Sequence, residues 1–414
     1  MAIDLNNKKI AILGFGVEGQ AVAEYLKKKN IPLAAILDQK ENPNYLDNLS
    51  DYDVIFRSPG VPRNHPKLLA YPNQENIYSM TKLFFDLCPC PIISVTGTKG
   101  KTTTTSLIYE IIKASGKKTF LGGNIGKPLL EFVDDLDAES VAVVEMSSFQ
   151  AQDLQKSPHV GVILNVTHDH LDDGTFRPAS HTTQDEYLRA KAQMIANQGP
   201  EDFAVLHYEL GEIFTKSGQG KKIIFKPEDA AGYETKLLGQ HNLENISAAV
   251  HAAQAFGIPE GVIKQAVAEF KGVPQRLEVV AEKNGIKFVN DSASTNPDST
   301  IAAIKAFDSN LVLIIGGSDK QLDYTDLCKL IIKSPHIKAL VVIGQIQGLI
   351  LSAVQGYKGQ VLTGATNMQE IITQALSVTK PGDTILLSPA AASFGMFKHS
   401  KDRGQQFNDI VQSL

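Results

Sequence analysis

Short apolar runs alternate along this chain with segments in which apolar residues recur every three or four positions. The runs span three to five residues and are bounded by turn-forming residues, as expected for buried strands of a parallel sheet. Strands are predicted over residues 9–13, 34–37, 54–56, 92–95, 140–144, 160–164, 311–315, 339–343 and 384–387. Helices are predicted through residues 21–26 and over residues 102–114, 185–196, 243–256, 259–270 and 368–377, with another beginning at Pro297. The alternation predicts an α/β chain with mostly parallel sheets.

The same pattern divides the chain into three units. A length of 414 residues suggests about three domains at roughly 150 residues each. Gly272, Val273 and Pro274 interrupt the helical pattern, and a hairpin around Asn284-Gly285 follows, with strands over 277–281 and 286–289. We therefore predict Rossmann-like units over residues 1–89 and 275–414, and a central unit with a phosphate-binding loop over residues 90–274.

Charge and composition limit the classes of partner. The net charge of −5 and the absence of long single-sign runs do not favour nucleic acid or a membrane surface, so small molecules are expected. The three cysteines are too few and unevenly spaced for a structural zinc site and favour free thiols. No apolar stretch has the length of a signal peptide or a membrane span. A cytoplasmic monomer is expected.

The segment from Ile92 to Thr103 is the most informative part of the sequence. An apolar strand leads into Gly97-Thr98-Lys99-Gly100-Lys101-Thr102-Thr103 and then into a helix. Glycines in such a loop let backbone N–H groups turn towards phosphate oxygens, while the lysine reaches the outer phosphates and the threonine hydroxyl binds Mg²⁺. Val95 replaces the first glycine of the full pattern, so the loop is a shortened one. The alternative is a glycine turn with solvated lysines.

A second glycine-rich turn, Gly14 to Gly19, follows the first strand. It is compatible with a dinucleotide, with another phosphorylated nucleotide, or with a tight turn that binds nothing. Asp38 ends the next strand, where a ribose-binding acid would lie, and Ser58-Pro59-Gly60 follows the third. These residues lie at the sheet edge at which α/β proteins bind ligands.

Polar residues also follow two strands of the central unit. Glu145 ends one of them and could hold Mg²⁺ directly or through water. Asn165 and the following His168-Asp169-His170 end the next, and this crowding favours a metal or phosphate role over a structural one.

Taken together, these segments resemble the Mur ligase family. The resemblance runs in order over nearly the whole chain, through residues 97–103, 122–126, 145–150, 165–170, 239–242 with Asn245, 276–278, 290–292, 316–317, 388–390 and 403–404. Within the family it is strongest to the members that add D-glutamate to UDP-N-acetylmuramoyl-L-alanine. It implies a cytoplasmic ATP-dependent ligase of peptidoglycan synthesis, with ATP, two Mg²⁺ ions and a carbamylated lysine.

The resemblance also implies site residues. ATP would bind to Gly97, Thr98, Lys99, Gly100, Lys101, Thr102 and Thr103, with Asn242, Arg276 and Asp291 from the domain interface. The metals would bind to Thr102, Glu145, His170 and Lys191, and the catalytic residues would be Lys101, His170 and Lys191. The UDP-substrate would contact Gly16, Val17, Glu18, Asp38, Ser58, Pro59, Gly60, Asn124 and Ser147. Without the resemblance, Lys191 would be read as a solvated helix lysine.

The predicted amino-acid pocket departs from the family pattern. Ala293 replaces a frequent lysine, Phe394 an aliphatic residue, Gly395 an acid, Ser400 an aromatic residue and Gln275 a histidine. Thr295, Lys320, Ser393 and Phe394 are the candidate contacts to the amino acid, although Lys320 could equally be a surface lysine. The identity and handedness of the amino acid therefore stay open, whereas the reaction type does not depend on these positions.

Three other functions are compatible with parts of the sequence. A related ligase, such as a folate-polyglutamate ligase, would lack the unit around residues 9–19. A nucleotide-regulated binding protein would not need the second metal site. An NAD-dependent oxidoreductase would leave the phosphate loop unexplained.

Overall fold

The computed structural model describes residues 3–167, 181 and 183–414. The chain forms two compact units, one of Met1–Glu234 with Leu243–Ala268 and one of Thr235–Asn242 with Glu269–Leu414. The first unit contains two sheets and the second contains one.

The first sheet has the strand order β2-β1-β3-β4, and its strands are parallel. Strands β1 and β3 are buried at every position because helices cover the sheet, and α1 turns Ala21, Val22 and Leu26 towards it. The elements are β1 (Ile10–Leu13), α1 (Val17–Lys28), β2 (Leu33–Leu37), β3 (Val54–Arg57), α2 (Pro66–Leu69), β4 (Ile77–Tyr78) and α3 (Met80–Leu87).

The second sheet is also parallel, with the order β10-β9-β8-β5-β7-β6. Its elements are β5 (Ile92–Thr96), α4 (Lys101–Ala114), β6 (Thr119–Gly123), α5 (Leu129–Phe132), β7 (Val141–Glu145), α6 (Ser148–Ala151), β8 (Val160–Ile163), α7 (Gln184–Ala196), β9 (Phe203–His207), α8 (Glu212–Thr215), β10 (Lys221–Phe225), α9 (His241–Ala255) and α10 (Glu260–Glu269). Strand β5 lies between β7 and β8. Strands β6 and β7 lie on one side of it and β8, β9 and β10 on the other, so the order in which strands are added reverses beside β5. Ligands of α/β proteins bind at such switch points.

The third sheet has the order β11-β12-β16-β13-β14-β15 and is parallel except for the first pair. Asn284 and Gly285 have φ values of 52° and 73°, which confirms the predicted hairpin turn. The elements are β11 (Glu278–Lys283), β12 (Ile286–Asn290), α11 (Pro297–Ile304), β13 (Leu311–Gly316), α12 (Thr325–Lys333), β14 (Ile337–Ile343), α13 (Gln347–Ala353), β15 (Gln360–Leu362), α14 (Met368–Ser377), β16 (Thr384–Leu387) and α15 (Ser400–Ser413).

The predicted α/β architecture with mostly parallel sheets is confirmed. Each sheet falls inside one of the three predicted units, whose bounds at residues 90 and 275 stay predictions. Among the described residues, no helix combines the length and apolar character that crossing a membrane requires.

Candidate active site

The phosphate loop leaves β5 at Gly97 and enters α4 at Lys101. A Cβ atom on Gly97 would lie 2.7 Å from the Cβ of Leu164, which leaves no room for a side chain. Gly100 has a φ of 86°, and a Cβ there would lie 2.1 Å from Oδ1 of Asn245. Both positions therefore require glycine, the second for its backbone conformation as well as for space.

Asn165 holds this loop from the end of the neighbouring strand β8. Its backbone oxygen accepts a hydrogen bond from the Thr98 N–H at 2.7 Å, and its Oδ1 accepts one from the Lys99 N–H at 3.0 Å. The Thr98 hydroxyl lies 3.0 Å from the hydroxyl of Tyr187 on α7. Residues from β8 and α7 thus fix the loop before any ligand binds.

Two lysine ammonium groups converge on the carbonyl oxygen of Gly97. Lys101 donates to this oxygen at 3.0 Å and to the Thr98 carbonyl at 2.9 Å, while Lys191 donates to the Gly97 oxygen at 2.8 Å. Lys191 is only 2% exposed, and its Nζ lies 4.6 Å from the centre of the Tyr187 ring. The structure therefore places Lys191 inside the site and excludes a solvated helix lysine.

Glu145 lies beside the loop because β7 pairs with β5, and Val95 is its register partner. Its Oε1 accepts a hydrogen bond from Nδ2 of Asn124 at 2.9 Å. Its Oε2 is buried without a hydrogen-bond partner in the described part of the chain. Such an oxygen is costly unless a cation neutralises it, and carboxylates are preferred Mg²⁺ ligands. The residues present therefore fit a divalent cation.

Of the other predicted metal ligands, Thr102 is among the described residues and His170 is not. Thr102 and Thr103 lie in the first turn of α4. His170 lies outside the described residues, as do His168 and Asp169. No group of three or more His, Cys, Asp or Glu side chains in the described ranges forms a preassembled cation site.

The glycine turn of the first sheet is braced by two predicted substrate residues. Asp38 accepts hydrogen bonds from the N–H groups of Phe15 at 2.6 Å and Lys40 at 2.9 Å, which lower the pKa of its carboxyl group. The Ser58 hydroxyl donates to the Gly14 carbonyl at 2.6 Å. Gly16, Val17 and Gly60 are exposed and Pro59 is half-buried, so this turn presents its tip to solvent.

Glu18 connects the glycine turn to the loop that follows Glu145. Its Oε1 accepts a hydrogen bond from Nε2 of Gln150 at 2.6 Å, and Oε1 of Gln150 accepts one from the Ser147 N–H at 2.8 Å. The Ser147 hydroxyl caps α6. Oε2 of Glu18 is buried and has no partner in the described part of the chain, and burial raises the pKa of this carboxyl group to about 7.

His181 was not among the predicted site residues, but the structure brings it to the start of α6. The His181 ring stacks on Phe149 with their centres 4.6 Å apart, and its Nε2 lies 2.9 Å from the Ser148 hydroxyl. The ring is buried. The only signal in the sequence is its position ten residues before Lys191, in a segment without a recognisable local pattern.

Asp291 is a buried acid of the predicted site in the second unit. It accepts hydrogen bonds from the Ser388 hydroxyl at 2.7 Å and the Leu277 N–H at 3.3 Å, but burial dominates and raises its pKa to about 6. Arg276 is exposed and lies in the turn that precedes β11. Asn242 is buried and donates to the Leu238 carbonyl at 2.6 Å.

The predicted amino-acid residues lie on three loops: Thr295 follows β12, Lys320 follows β13, and Ser393 and Phe394 follow β16. A Cβ atom on Gly317 would lie 2.0 Å from the Ala392 carbonyl oxygen, and the Ser318 hydroxyl donates to the Phe394 carbonyl, so the loops after β13 and β16 are joined. Phe394 is 63% exposed and Lys320 is also exposed. Thr295 is half-buried, and Ser393 is buried.

Comparison with known proteins identifies the family. Residues 95–222 match the Mur ligase middle domain, and residues 275–391 match the domain described as "Mur ligase, glutamate ligase domain". The chain belongs to the Mur ligase family. The predicted family and ligase class are therefore confirmed.

Relatives of this Mur ligase match it along its whole length. A protein of Pelotomaculum thermopropionicum, named UDP-N-acetylmuramoylalanine--D-glutamate ligase, is 37% identical over 463 residues, covering 100% of this chain and 99% of the relative. A protein of the same name from Symbiobacterium thermophilum is 35% identical, with 98% of each chain covered. The fold resembles the crystal structure of UDP-N-acetylmuramate-alanine ligase MurC from Thermotoga maritima, with a TM-score of 0.59, 18% identity, and coverage of 98% of this chain and 100% of that one.

Proposed function

We propose that this Mur ligase joins D-glutamate to UDP-N-acetylmuramoyl-L-alanine in an ATP-dependent reaction that passes through an acyl phosphate. The observation that carries the proposal is the convergence of Lys101 and Lys191 on the Gly97 carbonyl, with the Glu145 carboxylate at the end of the adjoining strand. The D-glutamate relatives that match the whole chain supply the substrate class.

The chemistry follows from these side chains. The terminal carboxylate of the muramoyl substrate attacks the γ-phosphorus of ATP, and the β–γ bridging oxygen leaves with ADP. The loop N–H groups and Lys101 stabilise the charge on the transferred group, which is the main contribution of protein to phosphoryl transfer. The amine of the amino acid then attacks the acyl carbon, and inorganic phosphate leaves as the amide bond forms.

We infer that Mg²⁺ is held by Glu145, Thr102 and a carbamylated Lys191, and that two ions bind in total. The ions would neutralise phosphate charge. Two ammonium groups directed at one carbonyl oxygen repel each other, whereas CO₂ would convert the Lys191 amine into an anionic oxygen ligand and replace repulsion by attraction. The part played by His170 stays a prediction.

The UDP moiety is proposed to bind at the exposed tip of the glycine turn, at Gly16 and Val17. Asp38 and Ser58 would act there by holding the turn, because their oxygens already bind backbone groups of the turn. Asn124 and Ser147 would face the muramoyl portion. An NAD-dependent oxidoreductase is not favoured, since it would leave unexplained the phosphate loop, which lies in the matched Mur ligase middle domain.

The experiment is phosphate release from ATP and Mg²⁺ in the presence of UDP-N-acetylmuramoyl-L-alanine, with D-glutamate, with L-glutamate or without amino acid. We expect release that depends on D-glutamate. Release with L-glutamate alone would retain the ligase and overturn its specificity, and no release under any condition would overturn the proposal in favour of a binding protein.

A matched pair of variants tests the loop assignment. Lys101→Ala is expected to lower turnover at least ~10³-fold, because a charge-stabilising group of the transition state is lost. Lys113→Ala removes an exposed lysine from the last turn of the same helix and should leave turnover unchanged. Equal rates for the two variants would contradict the role of Lys101.

A further inference from the structure

Cys88 and Cys90 lie side by side in the segment that joins α3 to β5. Their Sγ atoms are 3.5 Å apart, and neither is in a disulfide. The Cys88 N–H donates to the Phe84 carbonyl at 2.8 Å and so ends α3, while the Pro91 carbonyl accepts a hydrogen bond from Ala142 at the sheet. The backbone on both sides of the pair is therefore anchored.

The residue between the two cysteines is Pro89, whose ring fixes its φ angle. With anchored flanks and one rigid residue between them, the sulfur atoms cannot move far apart. Reaction between them therefore has the high effective concentration of a preorganised intramolecular step. Cys88 is half-buried and so partly exposed to solvent, whereas Cys90 is buried.

The two thiols are chemically different. The hydrogen-bond contact between the two sulfur atoms lowers the pKa of Cys88, whereas the same contact and burial raise the pKa of Cys90. Because the thiolate is the nucleophile in thiol–disulfide exchange and Cys88 is the less buried of the two sulfurs, Cys88 is the attacking sulfur and Cys90 the resolving one.

We propose that Cys88 and Cys90 form a redox-active dithiol, which a small-molecule disulfide of the glutathione class converts into an intramolecular disulfide. The Cys88 thiolate attacks one sulfur of the small disulfide and releases one thiolate. Cys90 loses its proton and attacks the Cys88 sulfur of the mixed disulfide, which releases the second thiolate. The protein loses two electrons and two protons, and the small disulfide is reduced to two thiols.

Cys328 is the internal reference for this chemistry. It is buried on α12, and burial raises the pKa of its thiol to about 11. A buried thiol of raised pKa reacts slowly with a dissolved disulfide, so Cys328 should stay reduced under conditions in which the less buried Cys88 reacts.

The experiment uses the full chain with oxidised glutathione as the probe, followed by alkylation of the remaining thiols after unfolding and by peptide mass spectrometry. In the wild type we expect a Cys88–Cys90 peptide that lacks two hydrogens, and an alkylated Cys328. Three alkylated cysteines, or a glutathione adduct that persists on Cys88, would overturn the proposal.

Three serine variants separate the roles of the sulfurs. Cys90→Ser should accumulate the glutathione adduct on Cys88, Cys88→Ser should react at least ~10-fold more slowly than the wild type, and Cys328→Ser should behave as the wild type. Equal reaction rates of the Cys88→Ser variant and the wild type would refute the assignment of the attacking sulfur. The wild-type peptide map decides the proposal even where a variant folds poorly.

Discussion

Gly100 and Gly116 offer a matched test of how the phosphate loop is held. Both have a φ of 86°, and they lie at opposite ends of α4. A Cβ on Gly100 would lie 2.1 Å from Oδ1 of Asn245, whereas a Cβ on Gly116 would have no atom within 4 Å. Alanine at the two positions therefore adds the same backbone strain but a steric conflict only at Gly100.

The strain of a non-glycine residue in this conformation is about 1–2 kcal/mol. At Gly116 this is the whole expected loss of stability. At Gly100 the Asn245 side chain must also move, which removes its contact with the Thr104 hydroxyl at 3.3 Å and costs about 1 kcal/mol more. If the loop moves instead, a displacement of about 1 Å costs on the order of 10²-fold in turnover.

The assay is ATP-dependent phosphate release at saturating substrates, with the thermal midpoint measured in parallel. We expect Gly116→Ala to retain wild-type turnover and Gly100→Ala to lose about 10²-fold. Asn245→Ala in the Gly100→Ala background should recover part of the lost turnover, because it removes the conflicting atom, although the contact with Thr104 stays lost. Similar turnover together with similar thermal midpoints in the two glycine variants would refute the steric argument and leave backbone strain as the only effect.

Two further predictions concern buried charges. Glu18→Gln should stabilise the protein by about 3 kcal/mol at about pH 8 but not at about pH 4. The folded protein raises the carboxyl pKa from 4.5 to about 7, so stability is lost as the pH rises from 4.5 through 7. Denaturant midpoints that shift equally at both pH values would contradict this. Arg403→Met should lower the free energy of unfolding by about 3 kcal/mol, because the buried guanidinium donates to the Ser292 carbonyl at 2.9 Å and to the Ala391 carbonyl at 3.2 Å. Lys401→Met changes an exposed residue of the same helix and should alter the denaturant midpoint little.

Hydrophobic patterning was sufficient for most of the interior strands and for helices α1, α4, α7, α9, α10, α11 and α14, but it missed the buried strand β9 and helix α12. The helix predicted over residues 102–114 begins at Lys101 and ends at Ala114, and the strand predicted over 160–164 spans Val160–Ile163. Elements with weak patterns were missed. Strand β6 ends in two glycines, β10 has exposed and half-buried positions, and α15 is largely polar with Phe407 and Val411 among its few buried apolar residues.

Some features of the candidate site could be predicted from neighbouring residues, whereas others depend on residues that are distant in the chain. The glycine spacing of the phosphate loop and the strand-end position of Glu145 are local features of the sequence, and both were predicted. The bracing of the loop by Asn165 and the stacking of His181 on Phe149 depend on packing between residues more than 30 positions apart. The burial of Lys191 was implied only by the family resemblance, because a lysine on a polar helix carries no local sign of it.

A competition experiment tests the central claim most directly. The protein is incubated with ATP, Mg²⁺, UDP-N-acetylmuramoyl-L-alanine and equal amounts of D-glutamate and L-glutamate, one of them isotopically labelled, and the amide product is analysed by mass spectrometry. The account predicts a product that carries the mass of D-glutamate. A product that carries only L-glutamate would contradict the proposed specificity, and ATP consumption without any amide product would contradict the proposed ligation.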